Sequence, residues 1–365
     1  MATFYEAVKH KNRMSPVLLK RAEVMAVGVG YADPSKPALG AGIIVYTHKK
    51  ITSSSLNHLS QTIAKSGTSV PVRFIASGNF KKNASPAKPK AISPTQLYRS
   101  RIRPVPGGVS IGKLTATGTA GIVVIKNNQL FILSNNHVLI RDNSTAFSET
   151  LQPGPADGGI SGRDTIGRAF QFVRLRPNQA NFQDSAIAIP TSNGVLNPRY
   201  LFSAFQLINV PGHLLSYPVG LPVLKTGRTT GFVRGTVEAN NVDVRVNYGA
   251  LGTLLFRNQS VIVGNNGAAV SLPGDSGSVW LRSSDNFAAA LNFAGTTEGG
   301  LRSIANPLGV VMSTYGLRIA IPAAGGTFRA GAIKGAAPRG NYAYVRPLTQ
   351  AQRKRSRAIF VKATK

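Results

Sequence analysis

A histidine, an aspartate and a serine stand in that order at positions 137, 184 and 276, each in a setting that suits a reacting side chain. His137 follows the apolar run GIVVIKNNQLFILS and two asparagines, and precedes Val-Leu-Ile, at the end of what reads as a strand. Asp184, in NFQDSAIAIP, comes just before an alternating apolar strand that could bury it while its carboxylate points at an imidazole. Ser276, in SLPGDSGSVWL, stands between Gly274 and Gly277, which permit a tight turn that projects the hydroxyl and lets backbone N–H groups face outward. At neutral pH a serine hydroxyl is a poor nucleophile and needs a base within hydrogen-bond reach; an imidazole, with an unperturbed pKa of about 6.5, can take and return the proton. A carboxylate on the other ring nitrogen would fix the tautomer and stabilise the imidazolium as it forms. Such a set transfers acyl groups, and it needs neither metal nor cofactor. Each piece also has a plainer reading: a histidine where a strand leaves the core, an aspartate capping a strand end, a GDSG turn.

The elements that must hold these residues are short and punctuated. VMAVGVGY, GAGIIVYT and VPVRFIASG predict three strands and SSSLNHLSQTIAKS a helix, so residues 1–80 read as a small α+β unit. Residues 81–106, rich in Pro, Lys, Ala and Ser at their start, read as a basic linker. From 107 to 325, many Val/Ile/Leu/Phe runs separated by Gly, Asn and Pro turns favour an antiparallel barrel or sandwich, with one late helix at NPLGVVMSTYGL. Residues 326–365 read as an extended or disordered basic extension. Two phosphate-loop patterns fail. VGVGYADP has Asp33 where a third glycine is needed, and GGVSIGKL has Leu114 where a magnesium-binding hydroxyl is needed.

The chain of 365 residues is 42% hydrophobic, enough for a large core, and has no cysteine, which excludes disulfides and Cys-ligated zinc. Neither an apolar leader nor a membrane span is visible, so a cytoplasmic protein is expected. With 43 Lys and Arg against 13 Asp and Glu the formal charge is +30; residues 81–104 hold seven basic side chains and no acid, and no acid follows Glu298. This charge could meet nucleic acid, anionic lipid or an acidic partner, or simply be solvated.

The three motifs in this order, with the apolar strand before the histidine and separations of 47 and 92 residues, resemble the chymotrypsin-like serine proteases. VLKTGRTTGFVRGTVEANNVDVRVNYG looks like the opening hairpin of the second barrel in the bacterial streptogrisin and alpha-lytic-type enzymes. The VGVG-type start, basic linker, LSNNHVL segment and late helix together resemble the bacterial trypsin-like proteins related to the plant narrow-leaf proteins. The resemblance implies a mainly β fold: a double six-stranded antiparallel β-barrel of the chymotrypsin type over 107–325, after the small α+β unit. Asn135 and Asn136 replace the small alanines of animal enzymes, and Ser278 follows Gly277 where many members have a second glycine.

The resemblance further implies a serine endopeptidase with His137, Asp184 and Ser276 as its triad, Gly274 and Ser276 N–H groups as its oxyanion donors, and a polypeptide as its substrate. Val270, six residues before the serine, would form the specificity-pocket base and favour an apolar or small P1 residue. Asn292, Phe293 and Ala294, in LNFAG, would pair with an extended substrate, with Phe293 stacking as the family's aromatic and Thr296, Thr297 and Glu298 near the pocket mouth. Two other classes stay open: a protease-fold binding or scaffold protein with an idle triad, and a basic nucleic-acid-binding protein. A homo-oligomer is compatible with the apolar residues of YAYVRPL and AIFV in the extension.

Overall fold

The computed structural model describes residues 1–48, 52–65, 67–83, 96–203, 206–336 and 338–364. The architecture is mainly β, two large sheets built from the short Val- and Ile-rich runs, preceded by a small α+β unit.

The strand Gly231–Asn247 organises the second sheet. It pairs with Pro222–Gly227 and with Thr253–Gly264. From there the ladder runs through Arg302–Pro307, Ala288–Thr296 and Val279–Arg282 and returns to Pro222–Gly227. Six antiparallel strands therefore close into a ring, which leaves no free edge among them. The first sheet combines Ser110–Lys113, Ala116–Thr119, Ile122–Lys126, Gln129–Ser134, Thr165–Val173 and Ala186–Pro190, with Glu149–Leu151 bridging Thr165–Val173 and Ser110–Lys113; its pairings follow an open order. Val109, Ile111, Val123, Ile132 and Ala188 fill its interior. Leu133, Ile187, Leu224 and Leu291 meet Leu308, Val311 and Met312 in a cluster that joins the two sheets. The latter three belong to the expected late helix, Leu308–Tyr315, which Gly316 ends in the left-handed conformation (φ 66°).

In the N-terminal unit the expected strands and helix form: Val24–Tyr31 pairs antiparallel with Ala41–Thr47, and the helix Ser53–Lys65 leads to a parallel Val72–Ala76. The sequence reading missed an earlier helix, Phe4–Leu18, started by a Thr3/Glu6 capping box and burying Ala7, Val8, Met14 and Leu18. Val24–Tyr31 also pairs with Gly231–Asn247, so the unit shares a sheet with the second barrel.

Two boundaries differ from expectation. Lys81 and Lys82 are not linker but part of the strand Phe80–Lys82, and Gln96–Arg99 and Val105–Gly107 are a helix and a strand; residues 84–95 lie outside the described residues. The C-terminal extension is folded onto the body. Phe328–Ala330 pairs with Arg318–Pro322, Ala332–Lys334 with Gly212–Leu214, and Ala358–Phe360 with the edge of Thr165–Val173. Ala343, Val345, Leu348 and Val361 are buried there, which is the work done by the apolar residues of this basic segment. Among the described residues no helix is long and apolar enough to cross a membrane. Ending the chain after Gly326 should therefore lower stability by on the order of 5 kcal/mol, from re-exposing Val345, Leu348 and Val361. Urea unfolding of the truncated and full chains measures this, and equal midpoints would mean the extension contributes nothing to the core.

Candidate active site

The two asparagines before the histidine are anchors. Asn135 Nδ2 donates to the Asp184 carbonyl at 2.7 Å, and Asn136 Nδ2 donates to the carbonyl of Val173 and to Asn143 Oδ1, both at 2.8 Å. They fix a single helical turn, Asn136–Leu139, at the end of the strand Gln129–Ser134, with His137 buried in it. Asp184, just before the strand Ala186–Pro190, is fully buried and its Oδ2 is hydrogen-bonded to His137 Nδ1. Its backbone is held by Asn306, whose Oδ1 accepts from Asp184 N at 3.0 Å and whose Nδ2 donates to Asp184 O at 3.1 Å.

A partner the sequence reading missed completes the carboxylate: Tyr248 donates its hydroxyl to Asp184 Oδ2 at 2.6 Å and sets its ring edge-on to the imidazole. Burial opposes ionisation of Asp184, but His137 and the hydrogen bonds from His137 and Tyr248 outweigh it and hold the carboxyl below its usual range. Burial, with help from Lys82 and Lys113, depresses the His137 pKa below 6.5 against the pull of Asp184. The imidazole is thus favoured in its neutral, proton-accepting form. Lys113, itself pushed down to about 8 by burial, donates to the His137 carbonyl at 3.0 Å and to the Ile140 carbonyl at 2.6 Å.

Ser276 lies on the loop before the strand Val279–Arg282, pressed against the first sheet: Thr119 N donates to the Ser276 carbonyl at 2.7 Å. Gly277 has φ 95°, and a Cβ there would collide with Ser134 Oγ and the Thr119 carbonyl, so only glycine fits. The neighbouring Asp275 is fully buried and pins the loop, accepting from the N–H groups of Thr229 and Leu272 at 2.9 Å and of Thr230 at 3.0 Å. Its counter-charge is the equally buried Lys225, 3.9 Å away, whose pKa burial lowers. Ser276 Oγ donates to the Phe293 carbonyl at 3.0 Å and is not hydrogen-bonded to His137. Among the described residues, the buried His137 Nε2 has no hydrogen-bond partner.

The cleft beside Ser276 is filled by the chain itself. Phe80–Lys82 pairs antiparallel with Ala288–Thr296, setting Lys82 opposite Ala294, Lys81 opposite Gly295 and Phe80 opposite Thr296. Thr297 N extends the contact by donating to the Asn79 carbonyl at 2.9 Å. Beyond Lys82, Asn83 N donates to the Phe293 carbonyl at 3.3 Å and its own carbonyl accepts from Gly274 N at 2.5 Å. Gly274, at φ 106°, turns that N–H toward the cleft. The Asn83 side chain is buried, and its Nδ2 donates to Ser271 Oγ at 2.6 Å.

These contacts show where the residues expected in the pocket lie. Val270 is in the core with Tyr217 and Trp280; the next residue, Ser271, meets the side chain in the cleft. Asn292 is a polar wall, its Oδ1 accepting from Ser271 at 2.9 Å and from Ser303 at 2.6 Å. Phe293 offers its carbonyl to the cleft, while its ring packs on Phe256 in the core, 4.7 Å between centroids. Ala294 pairs with Lys82 of the strand Phe80–Lys82. Of the residues expected near the pocket mouth, Thr296 and Thr297 are used by the Asn79–Lys82 segment. The missed residues Asn83 and Ser271 have no local motif; Asp275 was visible in GDSG.

No protein-family model matches the chain and no curated protein matches it. Solved structures similar to it are bacterial serine proteases of the chymotrypsin-like type. Thermobifida fusca protease A is 19% identical with a TM-score of 0.43, the match covering 62% of this chain and 99% of that one. Cellulomonas bogoriensis chymotrypsin is 22% identical with a TM-score of 0.41, covering 59% and 97%. A glutamic-acid-specific serine protease is 20% identical with a TM-score of 0.43, covering 59% and 100%.

Replacing Tyr248 by Phe removes one donor from a buried carboxylate and should lower stability by about 1.5–3 kcal/mol at neutral pH. With His137, and against burial, this donor helps hold the Asp184 pKa below 3.8, so its stabilisation is present above that value and is lost as pH falls through the folded pKa. Urea midpoints of Tyr248→Phe and the parent should differ at pH 7 and converge as pH falls below 3.8 through the folded pKa; a gap constant with pH would place the effect in packing alone.

Proposed function

We propose that the chain is a serine endopeptidase working through an acyl-enzyme. The observation that carries this reading is a peptide carbonyl, that of Asn83, on the N–H of Gly274 beside Ser276, with the buried His137–Asp184 pair on the adjoining sheet. A backbone donor that already holds a carbonyl oxygen is placed to hold the oxyanion that oxygen becomes, a contact typically worth about 3 kcal/mol in the transition state.

In the proposed reaction the Ser276 side chain turns from the Phe293 carbonyl toward His137 Nε2, which takes its proton as Oγ attacks the substrate carbonyl carbon. Gly274 N–H and Ser276 N–H receive the oxyanion. His137 then protonates the leaving amine, and water, activated by the same imidazole, hydrolyses the ester. Asp184, kept ionised by Tyr248, orients the ring throughout. The substrate is extended polypeptide paired with Phe293 to Thr296, and the Ser271 and Asn292 wall favours a small polar P1 residue such as asparagine in place of the apolar residue expected from Val270.

A second reading, a scaffold with an idle triad, is favoured by the Ser276–Phe293 hydrogen bond and the occupied cleft. Reaction with a fluorophosphonate separates the two. Ser276→Ala and His137→Ala should abolish labelling and peptide hydrolysis in folded proteins, while Asp184→Asn leaves residual turnover. Near-normal turnover by Ser276→Ala would refute the assignment. Ser271→Ala should lower kcat/KM for asparagine-P1 peptides by about tenfold, the loss of one hydrogen bond, with little effect on alanine-P1 peptides.

The acid limb of kcat/KM should lie below pH 6.5, because burial and the nearby lysines disfavour the imidazolium. Lys113→Gln, which removes one of those charges and retains a donor, should move the limb upward; a downward shift would contradict the electrostatic assignment.

A further inference from the structure

Opposite Asp243 the strand Thr253–Gly264 carries one residue more than its partner: Val242 pairs with Gln259 and Val244 with Phe256, leaving Arg257 and Asn258 to face a single residue. Asn258 absorbs the excess in the left-handed region, at φ 60°, where asparagine is better tolerated than most side chains. Its Nδ2 donates to the Arg346 carbonyl at 2.9 Å, which brings the C-terminal extension to this bulge. The helix Phe4–Leu18 adds Lys11, buried and paired with Asp243 at 2.8 Å. A cavity of about 250 Å³ opens among these residues. Three cations, Lys11, Arg257 and Arg346, line it with one carboxylate, and Asp243 already accepts from Lys11 and from Ser15 Oγ, each at 2.8 Å. Among the described residues, the buried Nε of Arg257 has no hydrogen-bond partner. Burial lowers the Lys11 pKa; Asp243 opposes this, while Arg257 and Arg346 act with burial, so the three charges are close enough to feel one another.

Like charges gathered from three distant segments repel unless an anion joins them, and a guanidinium presents a planar fork of donors that matches two oxygens of a tetrahedral oxyanion. We propose that the cavity binds a phosphate group, free or as a monoester, through Lys11, Arg257 and Arg346. With about two negative charges at neutral pH, phosphate balances the cations that Asp243 leaves over and supplies an acceptor for Arg257 Nε. None of His137, Asp184 and Ser276 lines the cavity, so the site is separate from the candidate active site. Bound phosphate joins the N-terminal helix, the second barrel and the extension, and gives part of the formal +30 charge a specific counter-ion.

The test is calorimetric titration of the full chain with sodium phosphate at about pH 7.5, against sodium chloride of matched ionic strength, beside Arg257→Gln, Arg346→Gln and Arg329→Gln. Arg329 is exposed on the strand Phe328–Ala330 and does not line the cavity. The expected result is one phosphate per chain and a melting temperature raised by at least about 2 °C at saturation. Affinity should fall at least about tenfold in Arg257→Gln and in Arg346→Gln, and stay unchanged in Arg329→Gln. Should Arg257→Gln fail to fold, Arg346→Gln, whose side chain is exposed, decides alone. Phenyl phosphate distinguishes the sources: affinity equal to or above that of inorganic phosphate assigns the site to an ester, and weaker binding or none assigns it to the free ion. Phosphate that does no more than matched chloride overturns the proposal. So does weakening of the same size in all three variants, which would mean a diffuse response to net charge. Affinity unchanged in both Arg257→Gln and Arg346→Gln places the bound phosphate elsewhere and overturns it too.

Discussion

A carboxylate removed from water stays ionised only if donors surround it, and the fully buried Asp184 sets that requirement for the whole of the first sheet's rim. His137 and Tyr248 supply the side-chain donors, and Asn135 and Asn306 hold the backbone on either side. Asn135 and His137 come from the turn that ends the first-sheet strand Gln129–Ser134, Tyr248 follows the second-sheet strand Gly231–Asn247 and Asn306 lies in Arg302–Pro307, so the ionised carboxylate acts as a register mark. If the sheets slid relative to each other, the charge would be left unpaired at a cost of several kcal/mol. Asn135 belongs to this requirement, since alanine there would leave the Asp184 carbonyl with one donor fewer.

A second buried charge does the same for the loop that carries Ser276. Asp275 gathers three backbone N–H groups and faces Lys225, and with Gly274 and Gly277 in left-handed conformations the loop has little freedom to relax. What remains adjustable is the side chain of Ser276 itself, which rests on the Phe293 carbonyl. The two buried carboxylates thus fix the backbones on both sides of the cleft and leave the Ser276 side chain as the adjustable part.

His137, Asp184 and Ser276 were legible because each sits in a local pattern of apolar strand, turn and glycine. Tyr248 and Asn306 were not, being 64 and 122 residues from Asp184 and brought to it by sheet register. Side chains alternate along extended chain, so Val270 lies in the core while the adjacent Ser271 meets Asn83, and the Phe293 ring packs in the core while its carbonyl faces the cleft. Residues 81–83 read as the start of a linker because only their charge is local, while their partner strand begins about two hundred residues later. The extension was misread despite YAYVRPL and AIFV, where strong charge obscured a modest apolar signal.

The sharing of one sheet by the N-terminal unit and the second barrel determines how the molecule would respond to a nick between them. Val24–Tyr31 stays paired to Gly231–Asn247 whatever happens to the chain near residue 83, so the covalent tether could be lost with the shape unchanged. While joined, the unit meets its partner at an effective concentration on the order of millimolar or above, independent of dilution. Once severed, the same contact obeys mass action, and an internal fixture becomes an exchangeable subunit. The 17-residue strand would then serve as a seam between two polypeptides, and occupancy of the cleft would depend on how much protein surrounds it.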